Sequence, residues 1–364
     1  MTTATTIILA VLVFGFLILI HELGHYATAR IFKVTINEFS IGMGPRLLSK
    51  VSKKTGIRYS LALLPIGGFV AMAGENGEED EKNPADDPNR FDKKPAWQRF
   101  IITAAGATVN IVAGFLAMIL VTAITVMPST TIGSYELDDG TLLKDKLGYE
   151  VSVADSGIEI GDKIVKIGDK RITIYDELTY EIMRAGYEPL DVTVIRNGEE
   201  MVIEDVVFPT VESQGQLFGT IDFRVKRAEK NVGTVLSYSF KNSCLIVRMV
   251  WESIYDLATG RYTLGAVSGP VGISSAIGDA AQAGFASLLS LVTLISINLG
   301  VMNLLPIPAL DGGRLITVLF EMITRKRVPP KVEGIINGVG LALLLGLSIV
   351  VMIKDVIQLA IWGA

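Results

Sequence analysis

Only two histidines occur among the 364 residues, and both fall in one pattern, His21-Glu22-Leu-Gly-His25. On a helix, residues four apart share a face about one turn apart, so both imidazoles can reach a single metal ion. Glu22, one position on, can stand beside that ion's water and take its proton. Zinc lowers the pKa of a bound water towards ~7, and an adjacent carboxylate then acts as general base. The chemistry implied is hydrolysis by an activated water. Residues 7–20, which lead into the motif, carry no charge and are nearly all apolar. A carboxylate and two imidazoles at the end of such a run are costly at membrane depth and mark a functional site rather than ordinary packing.

A catalytic zinc centre keeps three protein ligands and one open position. With no third histidine in the chain, the remaining ligand must be an aspartate, a glutamate or something weaker. The single cysteine, Cys244, excludes an intrachain disulfide and a cysteine-based zinc centre, and is expected to be a small packing residue. Asp311 is the best candidate. It follows a third apolar segment in the stretch Asn-Leu-Leu-Pro-Ile-Pro-Ala-Leu-Asp-Gly-Gly-Arg at 303–314, where Pro306 and Pro308 end a helix. The topology returns that end of the chain to the same side as His21 and His25. Capping a helix start is the alternative use of an aspartate ahead of two glycines.

The elements that must position these residues follow from composition. Half the residues are hydrophobic and 20% are charged, with a net charge of −5 that argues against a general nucleic-acid binder. The length allows two or more domains. Apolar segments at about 5–29, 97–127, 286–305 and 335–362 are each of the length that crosses a hydrocarbon core of ~30 Å. The first lacks a basic leader, and its removal would take the motif with it, so it is expected to be a retained span. Between the first two spans, 57–72 is rich in strand formers but broken by Pro65, Gly67 and Gly68. It is expected to be a membrane-associated β-hairpin whose backbone the protein must cover, a hairpin outside the membrane being the alternative. The acidic tract 75–87 reads as a solvated linker. In the second span, Gly106 and Asn110 lie four apart, a spacing suited to close helix packing and an interhelical hydrogen bond.

Residues 128–230 differ in character: charges are dispersed, and short alternating segments are separated by turns such as Asn197-Gly198. They predict a small α/β domain outside the membrane. Residues 231–283 predict an amphipathic helix, lying either on the membrane surface or on that domain, followed by a glycine-containing connector from Ser268. Lysine and arginine counts place the loop with Arg46, Lys50, Lys53, Lys54 and Arg58, and the one with Arg325, Lys326, Arg327 and Lys331, in the cytoplasm. Residues 128–230 and both termini are then extracytoplasmic. The expected fold is a polytopic α-helical membrane protein of about four transmembrane helices, with a membrane-associated β-hairpin and an inserted extracytoplasmic domain. Its parts are 1–127 (first membrane core), 128–230 (insert), 231–283 (amphipathic helix and connector) and 284–364 (second membrane core).

Three stretches carry a family resemblance. Residues 156–172, Ser-Gly-Ile-Glu-Ile-Gly-Asp-Lys-Ile-Val-Lys-Ile-Gly-Asp-Lys-Arg-Ile, are similar to the most recognisable part of PDZ domains. His21-Glu-Leu-Gly-His25 in a first span and Asn303-Leu-Leu-Pro-Ile-Pro-Ala-Leu-Asp311-Gly after a later one flank that insert. Together they resemble the site-2 protease family of intramembrane zinc metalloproteases, in the arrangement of the bacterial regulator-of-sigma-E protease group. The resemblance implies Zn²⁺ held by His21, His25 and Asp311, Glu22 as catalytic base, and Asn298 and Asn303 as residues that hold substrate or the site. It implies a multi-pass protein of the bacterial cytoplasmic membrane, in contact with lipid, cutting single-span membrane proteins such as anti-sigma factors or signal-peptide remnants. The extracytoplasmic insert adds the expectation of a gate that excludes bulky outer domains, so that another protease trims the substrates first. It leaves the PDZ-like insert with a peptide or protein ligand, and shows one such domain where longer relatives carry two.

Whatever the family, a transmembrane helix must unwind before its peptide carbonyls can be attacked. An extended substrate could add as a strand to the 57–72 hairpin, where Gly67 and Gly68 admit a close backbone. Two other classes compete. A zinc transporter would need a longer relay of polar residues than the spans contain. A non-catalytic membrane scaffold would have no use for Glu22 beside the histidines.

Overall fold

The structure is a computed structural model and describes residues 2–75, 87–213, 216–262, 265 and 267–362. In chain order its main elements are α1 (Thr3–Ile31), β1 (Ile36–Val51), β2 (Arg58–Met72), α2 (Ala96–Ile124), β3 (Pro128–Ser134), α3 (Leu143–Leu147), β4 (Lys163–Ile167), β5 (Lys170–Arg171) and α4 (Tyr175–Ala185). There follow β6 (Leu190–Arg196), β7 (Glu199–Val206), β8 (Thr210–Ser213), β9 (Gln216–Gly219), β10 (Arg224–Arg227), α5 (Val232–Ala258), α6 (Pro270–Ala283), α7 (Phe285–Leu304), α8 (Asp311–Thr324) and α9 (Pro330–Trp362). The chain divides into two compact units, residues 1–117 with 250–364, and residues 118–249.

Among the described residues, α1, α2, α7 and α9 are the four helices long and apolar enough to cross a membrane, as the hydropathy pattern predicts. Their outward faces are apolar and exposed (Ile8, Leu12 and Phe16 on α1; Leu343 and Ile349 on α9), as suits surfaces that face lipid. The protein is a polytopic α-helical membrane protein. Close helix contact depends on small residues. A Cβ on Gly24 of α1 would lie 2.6 Å from the Ala105 carbonyl oxygen of α2, and one on Gly300 of α7 would lie 2.7 Å from that of Ala107. The N-terminal half of α1 packs Ala10, Val13 and Leu17 against Ile277 of α6.

Three expectations need correction. The hairpin at 57–72 is β2 alone, and its partner is the longer β1 before it. Residues 36–41 pair with 68–72 in antiparallel sense, Phe39 opposite Val70 and Ile41 opposite Gly68. On their other side they meet 58–61, where both numbers rise together, Phe39 opposite Tyr59 and Ile41 opposite Leu61. Residues 46–51 return along 58–62. Two bent strands thus make four ribbons, with 68–72 at an outer edge. Arg46 donates two bonds to Glu38 (2.8 and 2.7 Å) and Ser60 donates a third, tying three ribbons together. Secondly, the connector after Ser268 is helical: Pro270 opens α6, as proline does at a first helical position. Thirdly, Cys244 is exposed on α5 rather than packed. The interior of the acidic tract at 75–87 lies outside the described residues.

The second unit has its own core. Ile132, Ile164, Leu178, Ile182, Val192, Val194 and Val206 are fully buried between α4 and a six-stranded sheet, ordered β10-β3-β4-β6-β7 with β5 beside β4. Within this unit α5 lies against α4: Tyr238 donates to Asp176, and Arg248 pairs with Glu181 at 2.6 Å. Of the two placements expected for the amphipathic helix, packing on the α/β domain holds for this part of α5. Arg196 joins β6 to the turn before β4, donating to both oxygens of Asp162 (2.8 and 2.7 Å), to Glu159 and to the Gly157 carbonyl. Burial alone would raise the Asp162 pKa, but the guanidinium and the Glu159 amide hold it below its ordinary value. The stabilisation is present at neutral pH and is lost as the pH falls through that lowered value. Arg196→Gln should therefore speed amide exchange in β4 and β6 of the whole protein at pH 7, with the difference narrowing below about pH 4. Equal exchange at pH 7 would remove the clamp.

Candidate active site

His21 and His25 lie on one face of α1, one turn apart, with side chains buried against α2. Asp311 reaches them from the first turn of α8. The chain breaks after α7 at Pro306 and Pro308, and Ala309 takes a left-handed φ of 72° while its amide donates to Asn337 (3.2 Å). Gly312 and Gly313 then let the new helix sit directly on the break. A Cβ on Gly312 would overlap the Leu305 carbonyl, and one on Gly313 would lie 2.6 Å from that of Ile307. Asp311 is thus the first residue of α8, yet its carboxylate turns to the histidines and caps nothing.

Three atoms converge. His21 Nε2 and His25 Nε2 are 3.1 Å apart, and Asp311 Oδ2 is 3.1 and 3.2 Å from them. The triangle is close to one face of a zinc tetrahedron, whose edges are about 3.3 Å for bonds of 2.0–2.1 Å. Asp311 Oδ2 is buried and accepts no hydrogen bond. His25 Nδ1 donates to the Ile102 carbonyl at 2.8 Å, which leaves a lone pair on its Nε2. Lone pairs and a carboxylate oxygen facing one another at this separation repel unless a metal ion or a proton lies between them. The donor set fits zinc, and among the described residues it is the one cluster of three such side chains that could hold a metal.

Two residues of α2 that the sequence pattern marks only for helix packing belong to this site. Asn110 is fully buried, its amide 3.4 Å from His21 Nδ1, and its Oδ1 has no other partner. With the amide turned so that Oδ1 accepts from Nδ1–H, a choice the two ends of an amide leave open, His21 presents Nε2 to the metal just as His25 does. A Cβ on Gly106 would overlap His25 Nε2 and approach His21 Nε2 to 2.7 Å. The missing side chain is the space in which the two rings meet. The signal was present in the sequence, since Gly106 and Asn110 share one helical face, but nothing local tells which neighbour they face.

Glu22 lines a cavity of about 200 Å³ together with His21, His25, Asp311, Thr103 and Arg314. Its other wall is the edge ribbon of β2, through Phe69, Val70 and Met72. The backbone comes close at Gly68, where a Cβ would lie 3.2 Å from Glu22 Cγ and 3.0 Å from the Ser40 carbonyl. Gly67 takes a φ of 91° at the bend into the edge. Asn298 is exposed on α7 and Asn303 half-buried near its end, and neither lines the cavity. Ser296 of α7 instead donates to the backbone carbonyl of Asn110 at 2.8 Å.

Gly106→Ala should weaken zinc binding about tenfold or more, and Asn110→Leu about tenfold, the usual range for groups that orient metal ligands. Metal content measured after dialysis against a graded chelator checks both, and parental affinity in both variants would remove α2 from the site.

The sequence pattern of peptidase family M50 matches residues 9–347. A relative from Clostridium acetobutylicum is 35% identical over 96% of this chain and 97% of its own length. Zinc metalloprotease RasP of Geobacillus kaustophilus is 31% identical over 97% of this chain and 98% of its own. The regulator of sigma-W protease RasP of Bacillus subtilis is 26% identical over 97% and 99%. A family match over nearly the whole chain, around a donor set that fits zinc at the end of a membrane-spanning helix, makes this protein a member of peptidase family M50, the site-2 type of intramembrane zinc metalloprotease.

Proposed function

We propose that the chain cuts peptide bonds within the transmembrane segments of single-span proteins, at zinc held by His21, His25 and Asp311, with Glu22 as the base. The observation that carries this reading is the meeting of three metal-ligand side chains with Glu22 at one cavity beside a helix that crosses the membrane. Zinc, when bound there, supplies a Lewis acid and a water of lowered pKa. Glu22 takes the proton of the attacking water on its carboxylate and returns it to the leaving amine nitrogen as the C–N bond breaks. The edge ribbon 68–72 receives the unwound substrate as an added strand, because an edge offers unpaired N–H and C=O groups and Gly68 keeps this one close to Glu22. Asn298 and Asn303, on α7 outside the cavity, take up backbone groups freed as the substrate unwinds.

The insert is a PDZ-like domain with a peptide or protein ligand, supported by residues 156–172 and by a helix packed on a sheet of antiparallel strands. The lysine and arginine distribution puts it outside the cytoplasm and the zinc on the cytoplasmic side of a bacterial cytoplasmic membrane. Substrates are first trimmed by another protease, in regulated intramembrane proteolysis. The name of the Bacillus relative, a regulator of sigma-W, favours anti-sigma factors over signal-peptide remnants.

Purified protein in detergent should cut a trimmed single-span substrate at least tenfold faster than the same substrate with its outer domain. Glu22→Gln should lose about 10³-fold in kcat while keeping its zinc. Equal rates for the two substrates would remove the trimming requirement, and an active Glu22→Gln would remove the base. Phe69→Pro or Val70→Pro should lower turnover about tenfold or more with zinc content intact, since proline deletes a strand donor. Parental turnover in both would exclude strand addition at this edge.

A further inference from the structure

Arg314 lies one turn beyond Asp311 on α8 and lines the catalytic cavity. Its guanidinium is spread over three elements. It donates to the Glu75 carboxylate and, at 3.0 Å, to the Glu75 backbone carbonyl; its Nε is 3.6 Å from Glu333 of α9; and it lies over the Phe91 ring at 5.7 Å. Glu75 in turn accepts from the Met72 amide at 3.3 Å, at the end of the edge ribbon. A continuous chain of bonds therefore runs from the helix turn that presents Asp311, through Arg314 and Glu75, to the last residue of the ribbon whose other end touches Glu22. Both members are partly exposed, with side chains 20% and 19% accessible. Such a pair adds little stability as an isolated ion pair. Its geometry is the forked, two-point kind that fixes orientation.

We propose that Arg314 and Glu75 are positioning residues that set the register of the substrate strand, and so select the scissile bond. The inference rests on the reading that substrate adds to the 68–72 edge. A strand held only by backbone bonds can slip, and a slip that keeps its side chains on the same faces moves it by two residues. The ribbon also packs through Val70 and Met72 in a core with Ala29 of α1 and Ile102 of α2, and the Ala73 amide just beyond it donates to the Thr35 carbonyl at 2.9 Å. The Arg314–Glu75 pair is the tie that joins its end to α8, the helix that presents Asp311. A displacement of about 1 Å there is enough to lower productive alignment by up to about 10²-fold.

The test is product mapping by mass spectrometry, with kcat and KM measured separately, on the full-length protein in detergent with a trimmed single-span substrate. Glu75→Gln and Arg314→Gln should each keep parental zinc content, raise KM or lower kcat/KM about tenfold, and add a second cleavage two residues from the first. The double variant should be no worse than either single one, because the two act as one device. Arg314→Lys, which keeps the charge but not the fork, should cut at both bonds with a smaller loss. A single unchanged cleavage site with parental KM in Glu75→Gln and Arg314→Lys overturns the assignment, whether or not kcat or thermal stability falls. If Phe69→Pro and Val70→Pro turn over normally, strand addition itself has failed. If they are inactive and Glu75→Gln still cuts one bond with parental KM, only the positioning role has failed.

Discussion

The structure depends on a repulsion that must be relieved. Two imidazole nitrogens and a carboxylate oxygen are pressed to within 3.2 Å of each other at one wall of a small cavity in an otherwise apolar helix bundle. Such a cluster is held together by positive charge between its members, a metal ion or a proton on an imidazole. Every nearby departure from ordinary helix packing serves it. Gly24 lets α1 and α2 touch, Gly106 vacates the space where the rings meet, and Ile102 and Asn110 hold the far nitrogens of the rings. The break at Pro306 and Pro308 turns the chain so that a carboxylate, and not a further apolar turn, arrives opposite them.

A membrane helix is a poor platform for peptide hydrolysis, because its surroundings exclude water and its substrates hide their carbonyls in helical hydrogen bonds. The four-ribbon sheet answers the second difficulty. Bending β1 and β2 leaves 68–72 as an outer ribbon, with no strand beside it among the described residues, and brings it to the wall of the cavity that contains Glu22. The cavity answers the first, since it is lined by Glu22, Asp311, Thr103 and Arg314, which favour water in an otherwise apolar bundle. The insert has a core of its own, and α5 lies along its helix through Tyr238 and Arg248, so its fold does not depend on the chemistry of the zinc site.

Much of this was legible in the sequence, for physical reasons. The cost of charge in hydrocarbon made the four spans visible as uncharged apolar runs, and the same cost made His21, Glu22 and His25 conspicuous at the end of one. The absence of a third histidine directed attention to carboxylates, and two prolines before Asp311 marked where a helix must stop. Alternating apolar residues between turn signals revealed the insert. Helical periodicity alone determined that His21 and His25 share a face, because that spacing is a property of the backbone.

What only the tertiary structure decided is whatever depends on which surfaces meet. Gly106 and Asn110 share a face in any helix of this sequence, but that this face meets α1 at the two rings is a consequence of packing. The pairing of 36–41 with strands on both sides could not be read from a period of two, because alternation gives a strand its faces and not its neighbours. Helix α8 was hidden because its start is fixed by glycines packed on the preceding break rather than by a local cap. Arg314 and Glu75 lie 239 positions apart, and no local pattern links them. Local sequence determines the conformation and polarity of each segment. The partner of each face is decided by burial summed over the whole chain.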